Sequence, residues 1–203
     1  MTEFRSRNFQ TLPLVIKNLL IINTLVFLAQ YTLDSSLGIT EKIALFPFGY
    51  GFKPYQLITY MFAHAGWFHL IFNMFALWMF GTQLENFWGP KRFIIFYLIC
   101  GVVAGICELL FNANAMAVGA SGAIRGVFAA FGYLFPNNLL IIFPIPIPIK
   151  AKWAVIGLMA FDLFGGVASR PGDNVAHFAH LGGAVTGLLL VWIWNKSKRK
   201  TFY

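Results

Sequence analysis

Residues 93–111 read FIIFYLICGVVAGICELLF, an apolar run in which Glu108 is the one charged side chain. A run of this length matches the ~20 residues that a helix needs to cross the hydrocarbon core of a bilayer. The chain of 203 residues has the same character throughout, being 59% hydrophobic and 11% charged, with a mean hydropathy of +0.71. This composition excludes a soluble globular domain and predicts a polytopic membrane protein.

Five further apolar stretches lie on either side of this run, separated by bunches of charged residues. The six ranges are Leu12–Leu33, Leu57–Leu84, Phe93–Phe111, Ala115–Phe135, Trp153–Ala168 and Val175–Trp194. We therefore predict an all-α bundle of six transmembrane helices, forming a single membrane domain over residues 1–203 with a core at about 12–195 and short tails. The first stretch lacks a small-residue cleavage site, so we expect a retained helix rather than a signal peptide.

The basic residues predict the orientation of this bundle. An even number of helices places both termini on one side, and that side carries eleven basic residues: Arg5, Arg7, Lys17, Lys91, Arg92, Lys150, Lys152, Lys196, Lys198, Arg199 and Lys200. The opposite side carries Lys42, Lys53 and Arg170. Because cytoplasmic loops are enriched in Lys and Arg, both termini are expected in the cytoplasm. The net charge of +8 is thereby explained by helix ends and anionic lipid, without nucleic acid as a partner.

The fourth stretch contains Gly119-Ala120-Ser121-Gly122, which places a hydroxyl between glycines in an apolar run. An unpartnered hydroxyl in hydrocarbon costs roughly 2–7 kcal/mol, so Ser121 is expected either to bond or to react. Gly119 and Gly122 would let a substrate or a second backbone come close. The alternative is that this run of small residues only packs helices tightly.

The second stretch holds a polar cluster formed by His64, His69 and Asn73. At 100° per residue His69 and Asn73 share one helix face, whereas His64 precedes Gly66 and is expected in the turn that opens the helix. Polar side chains within the membrane usually face the interior of a bundle and mark functional sites. Ordinary hydrogen bonds between helices remain the alternative for these three residues.

The last stretch places His180 above a smooth groove made by Gly183 and Gly187, at helical spacing i, i+3 and i+7. The fourth stretch offers a matching face of small residues, namely Ser121, Ala129 and Gly132. Packing these faces together would bring Ser121 beside His180, the pairing that activates a hydroxyl nucleophile. His69 and Asn73 would then donate hydrogen bonds to the oxyanion. His177, one turn before His180, is an alternative base.

Together these motifs resemble the signature of the rhomboid intramembrane serine proteases, in their compact six-helix bacterial form. The resemblance covers residues 12–195 and implies a Ser121–His180 dyad, an oxyanion site of His69, Asn73 and the Ser121 amide, and a first loop in the outer leaflet. The residues expected to line the site are His64, Gly119, Gly122, Arg125, His177 and Gly183. It further implies cleavage of membrane-spanning protein substrates, residence in the cell inner (plasma) membrane, and neither cofactor nor metal.

Two positions depart from the family pattern. Arg125 replaces the aromatic residue that many rhomboids carry four positions after the serine, and Tyr55-Gln56 replaces the frequent Trp-Arg pair of the first loop. A guanidinium near the centre of a bilayer costs roughly 2.5–3.5 kcal/mol unless it is paired or hydrated. Glu108, Asp162 and a water-filled cavity are all open as partners of Arg125.

Two other functions compete with proteolysis. A catalytically inactive rhomboid-like protein that binds membrane segments would fit the presence of Arg125 beside the dyad. A metal-dependent enzyme or transporter would use the four histidines, but a zinc protease of the His-Glu-x-x-His type needs a glutamate where Ala65 follows His64.

Overall fold

The computed structural model describes residues 9–112, 116–142, 145–168 and 175–199. Within these residues the chain is a helical bundle with one small β-hairpin. The helices are α1 Leu14–Leu37, α2 Ile39–Ile43, α3 Gln56–Thr59, α4 Trp67–Ala76, α5 Thr82–Trp88, α6 Pro90–Phe111, α7 Ser121–Leu134, α8 Ala151–Val167 and α9 His177–Arg199. The predicted tail residues Arg5, Arg7 and Lys200, the loop residue Arg170 and the predicted fourth-helix start at Ala115 lie outside the described residues.

The predicted all-α membrane bundle is confirmed. Each of the six predicted stretches contains a helical segment, and in the described part of the chain three helices are long and apolar enough to cross a membrane: α1, α6 and the part of α9 over His177–Lys196. Large apolar side chains also cover the outside of the bundle, as at Phe68, which is 79% exposed, and Phe164, which is 72% exposed. Such a surface is stable in hydrocarbon and would aggregate in water.

The second predicted helix begins later than Leu57. Residues Gln56–Thr59 form the short α3, a 3₁₀ turn follows at Tyr60–Phe62, and the long helix starts only at Trp67, after Gly66. From there α4, a π-helical turn at Leu77–Gly81 and α5 run on to Trp88. The turn predicted at His64 is thereby found, because the chain is not helical between the 3₁₀ turn and α4.

Helix α1 is fixed at its start by a side chain from α5. Glu85 is buried, and its two carboxylate oxygens accept the backbone N–H groups of Val15 and Ile16, each at 2.9 Å. The first amides of a helix have no partner within the helix, so a carboxylate from elsewhere can satisfy them. Glu85 therefore caps α1.

The central helix α7 has 14 residues and begins at Ser121, since the described residues 116–120 are not helical. It packs against α6, α8 and α9, and Ala123, Val127 and Ala130 are completely buried. A helix of this length spans about 21 Å at 1.5 Å per residue, which is less than the ~30 Å thickness of the hydrocarbon core. If the C-terminal end of α7 lies near one membrane surface, Ser121 at its start would lie inside the membrane, below the opposite surface.

The proline-rich segment after α7 is extended, as its composition predicts. Strand β2 (Ile145–Lys150) pairs with β1 (Leu139–Ile142) in an antiparallel hairpin, with Leu139 opposite Lys150 and Leu140 opposite Ile149. Because the sheet has two strands, each strand has an unpaired edge, where a proline without an N–H is tolerated. The hairpin leads directly into α8, which begins at Ala151.

Candidate active site

Ser121 and His180 lie together although 59 residues separate them. Ser121 is the first residue of α7, His180 lies in the first turn of α9, and the Ser121 Oγ to His180 Nε2 distance is 2.8 Å. His180 is buried, whereas Ser121 is partly exposed. A hydroxyl in hydrogen-bond contact with an imidazole nitrogen is the arrangement that nucleophilic catalysis requires.

Close contact between the backbones of α7 and α9 makes this distance possible. A Cβ atom on Gly183 would collide with the carbonyl oxygen of Gly122, and one on Gly187 would collide with that of Gly126. The glycine face of α9 is therefore used as predicted, but the partner face on α7 is different. The predicted residue Gly132 packs against Val155 and Ala151 at the start of α8 instead.

Gly119 allows helix α4, which carries His69, to approach Ser121. Its φ of +121° is rare for any residue with a side chain, and a Cβ there would lie 2.7 Å from the His69 ring. The Gly119 N–H donates to the Tyr60 carbonyl oxygen at 2.9 Å, which ties this turn to the 3₁₀ segment. The tight turn thus brings the His69 ring against the backbone two residues before Ser121.

His69 and Asn73 both present donors at this turn. The Ala65 N–H points at His69 Nδ1 at 3.3 Å, so that nitrogen accepts and the ring proton belongs on Nε2, the side facing Gly119. Asn73 is buried, and among the described residues its Nδ2 has no hydrogen-bond partner. That Nδ2 would be 3.8 Å from a Cβ on Gly119. A buried amide without a partner is costly, which suggests that a ligand completes it.

His64 lies behind this pair and is buried. Its ring stands edge-on to the His69 ring with centroids 5.1 Å apart, and its backbone N–H donates to Gln30 Oε1 at 2.9 Å. Its Nδ1 lies 3.3 Å from the Phe62 carbonyl oxygen. His64 therefore supports the position of His69 through packing.

Arg125 is paired with Asp162, one of the three partners left open by the sequence. Its Nε lies 3.3 Å from Asp162 Oδ2, and its side chain is 20% exposed while that of Asp162 is 2% exposed. Glu108 is engaged elsewhere, since it accepts the Ala179 N–H at 3.1 Å and the Asn112 amide at 2.8 Å. The partly buried guanidinium is thus paired with the Asp162 carboxylate on α8.

Asp162 also contacts two histidines of α9, which sequence reasoning missed. Its Oδ1 lies 3.0 Å from His180 Nδ1 and 3.2 Å from His177 Nδ1. The available signal was the carboxylate itself, because Asp162 interrupts an apolar stretch where an unpaired charge is not stable. The sequence offered Asp162 as a partner of Arg125 but did not indicate which helix face it occupies.

The same three side chains could hold a metal ion by distance alone. The ligand atoms of Asp162, His177 and His180 all lie within 4.8 Å of one another. However, the Arg125 guanidinium shares the Asp162 carboxylate, and its Nη2 lies 3.4 Å from His180 Nδ1. A cation at this point would be repelled by that positive charge, so the donor set favours an ion pair over a metal site.

Gln56 occupies a structural position in the first loop. It is buried, and its Oε1 lies 3.0 Å from the Lys53 N–H and 3.3 Å from the Phe46 N–H. A neutral amide thus holds two points of the loop together.

Comparison with known proteins gives the family. The Rhomboid domain model matches residues 51–197. The chain is 32% identical over 188 residues to the yeast (Saccharomyces cerevisiae) Rhomboid protein 1, mitochondrial, covering 90% of this chain and 54% of the relative. It is 36% identical over 152 residues to Rhomboid-like protein 11, chloroplastic, of Arabidopsis thaliana, covering 70% and 53%. It is 31% identical over 151 residues to the putative rhomboid protease YdcA of Bacillus subtilis, covering 73% and 71%.

The chain spans about half the length of the first two of these relatives. The matched region nevertheless contains every residue of the candidate site, from His64 to Gly183. Together with the helical membrane bundle, this match shows that the chain belongs to the rhomboid family.

Proposed function

We propose that this protein is an intramembrane serine endopeptidase that cleaves membrane-spanning segments of other proteins with a Ser121–His180 dyad. The observation that carries the proposal is the 2.8 Å contact between Ser121 Oγ and His180 Nε2 at the start of a short helix. The relatives' names support this class, since one is called a putative rhomboid protease.

The chemistry follows from the positions of the two side chains. Ser121 Oγ attacks the carbonyl carbon of the scissile peptide while His180 Nε2 takes the hydroxyl proton. Collapse of the tetrahedral intermediate breaks the C–N bond, and His180 returns the proton to the leaving amine. Water then attacks the Ser121 ester, again losing its proton to His180, and releases the acid with the serine regenerated.

The charge that develops on the substrate oxygen needs donors. The Ser121 N–H lies at the N-terminus of α7, where no preceding helical turn supplies an acceptor, and the helix dipole favours negative charge there. His69 and the unpartnered Asn73 amide are the side-chain donors that we assign to the oxyanion. Gly119, Gly122 and Gly183 shape the site by permitting close approach.

We further propose a location in the cell inner (plasma) membrane with both termini in the cytoplasm. The distribution of basic residues supports this orientation. The yeast and Arabidopsis relatives carry mitochondrial and chloroplastic names, which describe those proteins. The orientation can be tested with single cysteines placed in the N-terminal or C-terminal tail of a variant that lacks Cys100 and Cys107. Their accessibility is measured in intact cells. Labelling by an impermeant reagent would contradict the proposed orientation.

The catalytic proposal is tested with detergent-solubilised protein. Wild type should react with a fluorophosphonate and cleave a single-span model substrate, whereas Ser121→Ala and His180→Ala should each lose both activities. Because the dyad acts as a unit, the double variant should be no worse than either single variant. Ser36→Ala, which removes an exposed hydroxyl near the end of α1, is the matched control and should keep full activity.

Labelling of the Ser121→Ala variant would show that another residue is the nucleophile. Activity retained in His180→Ala and lost in His177→Ala would move the base to the neighbouring histidine. Binding of membrane segments with neither labelling nor cleavage in wild type would instead favour an inactive rhomboid-like binding protein.

A further inference from the structure

We propose that Asp162 is a positioning residue that turns the dyad into a Ser121–Asp162–His180 triad. In this arrangement Asp162 accepts the Nδ1–H of His180 and so directs the Nε2 lone pair at Ser121, while Arg125 is the counter-ion of the carboxylate. The inference rests on the proposed function, because it concerns the activation of the same serine.

Both ring nitrogens of His180 have a polar partner. Nδ1 lies 3.0 Å from Asp162 Oδ1, and Nε2 lies 2.8 Å from Ser121 Oγ. A neutral imidazole carries one N–H, and an ionised carboxylate can only accept. The proton therefore belongs on Nδ1, which leaves Nε2 as the acceptor for the serine hydroxyl, as a general base requires.

Arg125 opposes this tautomer. Its Nη2 lies 3.4 Å from the same Nδ1, and a guanidinium can only donate. A hydrogen bond between the two would require a bare Nδ1, which places the proton on Nε2 and prevents His180 from accepting the serine proton. The shorter contact to a charged acceptor decides in favour of Asp162. Removing the carboxylate leaves Arg125 beside Nδ1 and reverses the preference.

The carboxylate is also placed to act during the reaction. When Nε2 takes the proton of Ser121, the ring becomes an imidazolium next to the Arg125 charge. Asp162, which is 2% exposed, faces both cations and offsets their repulsion. The Nδ1 proton stays on His180 throughout, so Asp162 gains and loses no proton.

A purely structural role gives a different expectation. If Asp162 served only to neutralise Arg125, an apolar pair of similar size would replace the two charges without loss of activity, because buried ion pairs often tolerate such replacement. If Asp162 positions His180, the same double replacement should fold well and still react slowly. The activity of this double variant therefore distinguishes a positioning role of Asp162 from a purely structural one.

The experiment compares wild type, Asp162→Asn and the double variant Asp162→Leu with Arg125→Leu. Glu85→Gln, at a buried carboxylate that caps α1, is the control for loss of a buried charge. The measurements are the rate of fluorophosphonate labelling, kcat and KM for a single-span substrate, and thermal unfolding. Nitrogen NMR of labelled histidine reports which ring nitrogen of His180 carries the proton.

We expect Asp162→Asn to lose about 10²–10⁴-fold in kcat and in labelling rate with little change in KM, since the wrong tautomer is favoured. Its NMR signal should show the proton moved from Nδ1 toward Nε2. The apolar double variant should unfold near the wild-type temperature and remain at least about tenfold slow. Glu85→Gln should lose stability and keep the kcat of wild type.

Wild-type labelling rates in folded Asp162→Asn, or in the double variant if the single one does not fold, would overturn the inference. An unchanged His180 tautomer in folded Asp162→Asn would overturn it as well. These outcomes differ from failure of the proposed function, which would appear as an unreactive wild type or a reactive Ser121→Ala.

Discussion

Replacing Asn73 by leucine removes an amide while keeping the same number of side-chain heavy atoms, branched at Cγ, which separates catalysis from packing at one position. Asn73 is 6% exposed, and its Nδ2 has no partner among the described residues. In the folded protein without a bound substrate this donor has lost water without gaining a bond, a penalty of about 1–3 kcal/mol. Its removal should therefore leave the free energy of unfolding within about 1 kcal/mol of wild type, or raise it.

The transition state should respond in the opposite way. An oxyanion donor is worth about 10²–10³ in kcat, or about 2.7–4 kcal/mol, because its bond strengthens as charge develops on the substrate oxygen. Asn73→Leu should thus lower kcat by that factor with little change in KM. The assay is cleavage of a single-span substrate per folded molecule, together with thermal unfolding of the same preparation.

Asn23→Leu is the matched control. Asn23 is another buried asparagine, with no exposed surface, but it lies on α1, where its Nδ2 donates to the Leu19 carbonyl oxygen at 2.7 Å. We expect the control to keep its kcat. If Asn73→Leu instead lowered the unfolding temperature sharply and turned over within about threefold of wild type, Asn73 would be a packing residue and the oxyanion assignment would be refuted.

Three further outcomes are expected. Gly119→Ala should lose fluorophosphonate labelling and about 1–3 kcal/mol of stability through its positive φ, and folded protein that labels at the wild-type rate would contradict this. Gly183→Ala should prevent folding or greatly lower the unfolding temperature by forcing α7 and α9 apart, whereas Gly157→Ala, which meets open space on α8, should stabilise by about 0.4–1 kcal/mol. Glu85→Gln should lower the unfolding temperature by weakening the cap of α1, and an unchanged value would show that the cap contributes nothing.

Hydropathy and residue type predicted much of this protein. The apolar stretches predict the helices because transfer of a segment into hydrocarbon depends on the segment's own side chains and length. Ser121 and His180 stood out for a similar reason, since a polar group in such a segment is costly wherever it lies. Predicting the order of the helices and the pairing of His180 with a serine needed little more than the spacing of residues along the chain.

Helix boundaries were less predictable where two apolar elements join without a charge between them. Residues Leu57–Phe62 are as apolar as the helix that follows, so hydropathy joined the two into one predicted helix, and only Gly66 indicated the turn at His64. The extended segment before Ser121 was hidden for the same reason. Ala117 in this segment pairs with Leu45, a contact between distant parts of the chain that hydropathy does not report.

The environment of His180 was decided by tertiary structure. One residue along a helix rotates a side chain by 100°, so small differences in how α7, α8 and α9 are turned decide which groups meet. Sequence spacing left three partners open for Arg125, and the packing of α8 placed Asp162 between it and His180. The α7 face against α9 is likewise formed by Gly122 and Gly126, because contact between two helices depends on the relative rotation of both. The sequence alone therefore determined which residues are chemically costly in the membrane, and tertiary packing determined which of them satisfy one another.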